Sequence, residues 1–114
     1  DQFDAWVTPV FRAHSCDENE TIATMRRIFD DTGMLIDPHT AVAVASSEAC
    51  SEPGVPTITL ATAHPAKFPD AVFQATGIEP PLPEHLADLY ERPEHTTNLA
   101  NDLAAVKAFV ASCH

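Results

Sequence analysis

The apolar run Val55-Pro56-Thr57-Ile58-Thr59-Leu60 stops abruptly at Ala61-Thr62-Ala63-His64-Pro65-Ala66-Lys67-Phe68. No other feature constrains the fold as much. Pro56 to Ala61, apolar nearly throughout, is expected to be a strand buried on both faces of a parallel sheet. A strand that ends on hydroxyl, imidazole and ammonium groups is how open α/β sheets present a ligand at their carboxyl edge. A second such ending, Asp37-Pro38-His39-Thr40-Ala41-Val42, follows Met34-Leu35-Ile36. That apolar run is too short for a helix and reads as another buried strand.

Between the two lies a helix. Asp37 is placed to cap it, and Pro38 at its first position loses nothing, because that amide has no helical partner in any case. The helix runs through Ala-rich sequence to about Ala49, and Ser51-Glu52-Pro53-Gly54 is a turn cluster. Strand, helix, strand is a βαβ unit with a right-handed crossover. The expected class is therefore α/β, with short parallel strands near 34–36 and 56–61 and several helices. Parallel strands would put Thr62 and His39 on one rim. Two strands do not make a sheet with independent stability. The opening Asp1-Gln2-Phe3-Asp4, with no Met and no basic stretch, also reads as the interior of a longer protein.

Other elements have clear punctuation. Asp17-Glu18-Asn19-Glu20 starts a helix whose apolar face is Ile22, Met25, Ile28 and Phe29, and Gly33 suits a left-handed C-terminal cap. A short helix over about 70–76 ends at Gly77. Three prolines make 79–83 an extended connection. Helices are expected near 84–90 and 102–113, the last with Leu103, Val106, Phe109 and Val110 facing inward. Residues 1–16 show no clean period.

The 114 residues carry a formal net charge of −11, which argues against nucleic acid or an anionic membrane as partner. No segment approaches the roughly 18 consecutive apolar residues of a membrane span. With only three glycines there is no Gly-rich phosphate loop, so groups that hold a phosphate ester belong elsewhere. Cys16, Cys50 and Cys113 are widely spaced and odd in number, which reads as reduced, mostly buried thiols in a cytoplasmic protein.

Taken singly, the polar residues have ordinary explanations. Thr62 at a strand end can bond to backbone, and His39 and His64 can be structural imidazoles. A metal set of Asp37, His39 and His64 is conceivable, but Asp37 is better used as a helix cap, and no metal is expected. Lys67 can lay its stem over apolar surface or pair with phosphate; covalent chemistry would require its ammonium to be desolvated.

The two motifs together, Asp37-Pro38-His39-Thr40-Ala41-Val42 and Leu60-Ala61-Thr62-Ala63-His64-Pro65-Ala66-Lys67-Phe68, resemble the C-terminal part of the threonine synthase family, in its long bacterial and fungal form. Glu20-Thr21, Gly33 and Asn101-Asp102 are similar as well, so the resemblance spans nearly all of 1–114. It implies a fold type II pyridoxal-phosphate lyase that converts O-phosphohomoserine and water into threonine and phosphate. It places Thr62 where a hydroxyl meets the pyridine nitrogen of pyridoxal 5'-phosphate, a milder arrangement than a carboxylate, which would keep that nitrogen protonated. It places Asp37, His39, Thr40, His64 and Lys67 at the pocket or substrate. The family's Schiff-base lysine lies earlier than this segment, and neither Lys67 nor Lys107 matches its motif. The segment is therefore expected to work only with the remainder of the threonine synthase chain and to be inactive alone. Two other readings are a stand-alone module that binds a small ligand at His39 and His64, and an interaction domain that uses its terminal helices.

Overall fold

In the computed structural model, which describes residues 2–113, a short helix α1 (Gln2–Trp6) precedes the two longest elements, α2 (Glu18–Thr32) and α3 (Pro38–Cys50). Helices α4 (Pro69–Thr76) and α5 (Leu103–Ser112) follow, with single 3-10 turns at Pro65–Lys67, Glu84–Leu86 and Leu89–Glu91. The chain divides into one unit ending at Leu82 and another beginning at Pro83.

Local chemistry fixes the helix ends. Asp17 accepts a hydrogen bond from the Glu20 amide at 2.8 Å, and Glu18 and Glu20 place negative charge at the positive end of α2. The helix stops where Gly33 turns to φ 72°, a conformation an L side chain resists, and its amide returns to the Phe29 carbonyl at 2.7 Å. Gly77, at φ 73°, ends α4 in the same way. Asp37 caps α3, with Pro38 at its first position.

The core of the first unit forms where α3 and α4 both pack on α2. Met25, Ile36, Ala41, Val72 and Ala75 are buried together, with Ile22, Ile28 and Leu35 against them. Three of these come from the predicted face of α2, and small residues on α3 and α4 let the helices approach closely. Two buried threonines spend their hydroxyls on the preceding turn: Thr21 donates to the Asp17 carbonyl and Thr76 to the Val72 carbonyl, each at 2.7 Å. At the surface, Arg27 reaches Glu48 at 2.7 Å and ties α2 to α3. Arg12 donates to the Cys50 carbonyl at 3.1 Å and pairs with Glu52.

The α/β expectation is overturned: among the described residues there is no β-strand, so the predicted βαβ unit does not form. Residues 34–36 are too few to carry a ladder, and although Ile36 is buried, Met34 is 61% exposed. Residues 56–61 are extended but unpaired, with Ile58 86% and Leu60 71% exposed rather than covered on both faces. The physical reason is that strand assignment needs a backbone partner, and this segment has helix beside it instead. Its Thr59 hydroxyl meets that of Ser47 on α3 at 3.0 Å. The return of the chain alongside the helix is thus retained without a sheet. The cysteines are also less buried than expected, since Cys16 and Cys50 are half-buried, Cys113 is exposed, and all three are free.

The second unit is smaller. The helix expected near 84–90 appears as two 3-10 turns, and Arg92 closes on Asp88, where its guanidinium holds the exposed carboxyl below the ordinary range. Asp102 caps α5 by accepting from the Ala105 amide at 2.8 Å. The face expected to point inward is open: Leu103 is 69% and Val110 64% exposed.

Two outcomes test this packing. Met25→Ala removes a side chain that is 1% exposed and should cost about 2–5 kcal/mol by chemical denaturation, whereas Met34→Ala should stay within about 0.5 kcal/mol. The second concerns acid. Burial alone would raise the Asp37 carboxyl, but hydrogen bonds from the Thr40 hydroxyl, the His39 amide, the His39 ring and the Thr40 amide outweigh it and hold the carboxyl below the ordinary range. A depressed folded-state value contributes stability above the unfolded value that is lost as pH falls through the folded one. The melting temperature should therefore drop from about pH 5 downward, and Asp37→Asn should flatten that dependence.

Candidate functional site

The start of α3 gathers its polar groups around one carboxylate. Asp37 has a side chain that is 0% exposed. One of its oxygens accepts from the His39 amide at 3.0 Å and faces His39 Nδ1 at 3.1 Å. The other accepts from the buried Thr40 hydroxyl. Because a carboxylate can only accept, the geometry assigns a proton to Nδ1 of His39 and leaves Nε2 as the acceptor. Asp37 is thus a structural anchor, His39 an oriented and solvent-accessible imidazole, and Thr40 a donor committed to the cap.

The second motif reaches the first through an aromatic ring. Phe68 lies against the His39 imidazole, with ring centroids 4.9 Å apart and planes tilted by 54°. Lys67 holds Nζ 5.9 Å from the centre of the Phe68 ring, within the range of a cation–π attraction. His39, Phe68 and Lys67 therefore form a continuous row built from both motifs. Phe68 was not among the residues singled out from sequence for this site. Its signal there was only adjacency to Lys67 and Pro69.

His64 has a different task. Its Nδ1 accepts the Ala66 amide at 3.2 Å and caps the turn Pro65–Lys67. Its imidazole lines a concavity of about 450 Å³ with Gly33, Leu35, Pro65, Pro80 and Pro81. His39 opens on another, of about 370 Å³, between the first turns of α2 and α3, where Cys16, Asp17, Glu18, Thr21, Pro38 and Val42 complete the wall. The two histidines thus face separate hollows. Among the described residues, no three His, Cys, Asp or Glu side chains gather as a ligand set for a metal.

Thr62 stands at the end of the extended segment, exposed, and among the described residues its hydroxyl makes no hydrogen bond. Lys67 is exposed too. A pyridoxal phosphate would find here a hydroxyl free to meet its ring nitrogen, but no cradle for its phosphate. All three glycines have positive φ, two of them as helix caps and Gly54 in a turn. The residues present fit one end of such a cofactor.

The comparisons with known proteins agree with the two motifs. Residues 40–110 match the family model described as threonine synthase, C-terminal. The chain is 45% identical over 104 residues to a threonine synthase of Pseudomonas aeruginosa, covering 90% of this chain and 22% of that protein. It is 36% identical over 92 residues to one from Corynebacterium glutamicum, covering 80% of this chain and 19% of that one. A crystal structure of PLP-bound threonine synthase from Brucella melitensis superposes with a TM-score of 0.81 at 42% identity, covering 93% of this chain and 23% of that chain. The chain thus spans about a fifth of the length of the relatives it matches. With its helical architecture and both motifs accounted for, the chain belongs to the threonine synthase family, matching its C-terminal region.

Proposed function

We propose that this chain is the C-terminal part of a cytoplasmic threonine synthase that converts O-phospho-L-homoserine and water to L-threonine and phosphate with pyridoxal 5'-phosphate. The observation that carries the reading is the structural match, at 42% identity, to a threonine synthase with PLP bound. When bound, the cofactor supplies an electron sink that makes loss of protons and departure of phosphate from the amino-acid chain feasible.

This chain's own contribution is polar and specific. Thr62 offers a hydroxyl to the ring nitrogen, and a hydroxyl does not hold that nitrogen protonated, so the sink stays mild and side reactions are restrained. Asp37, His39, Thr40, His64 and Lys67 shape the adjoining wall, with His39 and Lys67 joined through Phe68. The covalent lysine is supplied by the remainder of the enzyme. The chain has only Lys67 and Lys107; Lys67 is exposed on the Phe68 ring and Lys107 lies in α5. The segment alone is therefore inactive.

Two experiments test this. Thr62→Val in the intact enzyme should lower turnover roughly tenfold, the scale of one lost hydrogen bond of about 1.5 kcal/mol, and should shift the cofactor absorption band. Unchanged kinetics and absorption would remove Thr62 from the site. The isolated chain mixed with pyridoxal phosphate should give no borohydride-trapped adduct at one particular lysine. Specific trapping at Lys67 would show that the covalent residue lies here after all.

A further inference from the structure

The proposed function leaves open why a buried carboxylate should sit directly against an exposed imidazole. A helix cap alone does not require it, since the His39 amide and the Thr40 hydroxyl already satisfy both Asp37 oxygens. The contact at 3.1 Å to Nδ1 is additional. It acts on a ring whose other side is fixed by Phe68 at 4.9 Å. Two restraints of different kinds, one polar and one aromatic, thus hold the same imidazole. Its side chain is nevertheless 62% exposed and borders the hollow of about 370 Å³ between α2 and α3. A surface histidine with no task has no need of a buried orienting partner.

We propose that Asp37 is a positioning residue that holds the His39 ring with Nδ1 protonated and Nε2 free, so that His39 accepts a hydrogen bond from the amino-acid substrate or its attacking water. This rests on the reading of the intact protein as a threonine synthase. The physical logic is that of a carboxylate behind an imidazole, which sets the tautomer and stabilises positive charge on the ring as a proton approaches. The charged and titratable groups around that ring are few. Cys16, Asp17 and Glu18 come from the start of α2, and Lys67 lies across Phe68. Asp37 is the group that touches it.

The test compares Asp37→Ser, Asp37→Asn, His39→Gln and Asp37→Ser/His39→Gln in the intact, cofactor-loaded enzyme. Ser and Asn are both good helix caps, but Ser has one acceptor, which the His39 amide takes, and Asn lacks the charge. His39→Gln should lower kcat/KM at least about tenfold, the scale of one positioned hydrogen bond. Both Asp37 variants should lower kcat/KM while His39 is in place, Asp37→Ser more than Asp37→Asn because Ser leaves no acceptor for Nδ1 of His39. The double variant should be no worse than His39→Gln alone. Cofactor absorption and melting temperature identify a variant that fails to fold; should Asp37→Ser fail, Asp37→Asn decides the outcome. An active wild type whose kcat/KM is unmoved in the Asp37 variants, or losses that multiply in the double variant, would overturn the positioning role. A wild type that makes no threonine from O-phosphohomoserine would overturn the proposed function and this role with it.

Discussion

The first unit depends on how it accommodates one ionised group in its interior. A carboxylate removed from water is costly unless donors replace the solvent, and Asp37 meets that demand with groups from the next three residues alone. Because the donors are local, the charge can be buried without a basic partner. Because they all belong to His39 and Thr40, the same act starts α3 and sets the direction of its first side chains. The helix start and the polar wall of the site are therefore one object, and a change that disturbs the carboxylate acts on both.

The exposed extended segment has a complementary meaning. An apolar stretch with Val55, Ile58 and Leu60 at 57%, 86% and 71% exposure leaves considerable favourable burial unrealised. In a family whose members are about five times longer than this chain, such a segment leaves apolar surface for the remainder of the protein to cover. The same argument applies to the open face of α5, where Leu103, Val106, Phe109 and Val110 are exposed.

The parts of this architecture legible in sequence were those decided within a few residues. The caps at Asp17 and Asp37 and the stops at Gly33 and Gly77 are decided by their immediate neighbours, and the structure has them where the pattern placed them. The period of Ile22, Met25 and Ile28 likewise gave the buried face of α2. What failed was non-local. An apolar run implies burial but does not supply the backbone partner that makes it a strand, so 34–36 and 56–61 were assigned to a sheet absent among the described residues. The short α1 had no periodic signal, and the inward face assigned to α5 assumed a neighbour. At the site, both motifs stood out by composition. That they meet through Phe68, and that His64 faces a different hollow from His39, depends on the path of the turn Pro65–Lys67, which spacing does not encode.

Charge finally argues for a division of labour. Among the described residues, Arg12, Arg27 and Arg92 are engaged with Glu52, Glu48 and Asp88, which leaves Arg26, Lys67 and Lys107 for the two phosphates that substrate and cofactor would bring. A formal charge of −11 would repel both at long range. What the chain offers instead is acceptors and hydroxyls: the exposed Thr62 hydroxyl, and the His39 imidazole with Asp37 behind it. If the remaining four-fifths of the enzyme hold the phosphates and the covalent lysine, the neutral, hydrogen-bonding side of the pocket is what this segment adds. An acidic surface then costs little, because no phosphate has to settle on it.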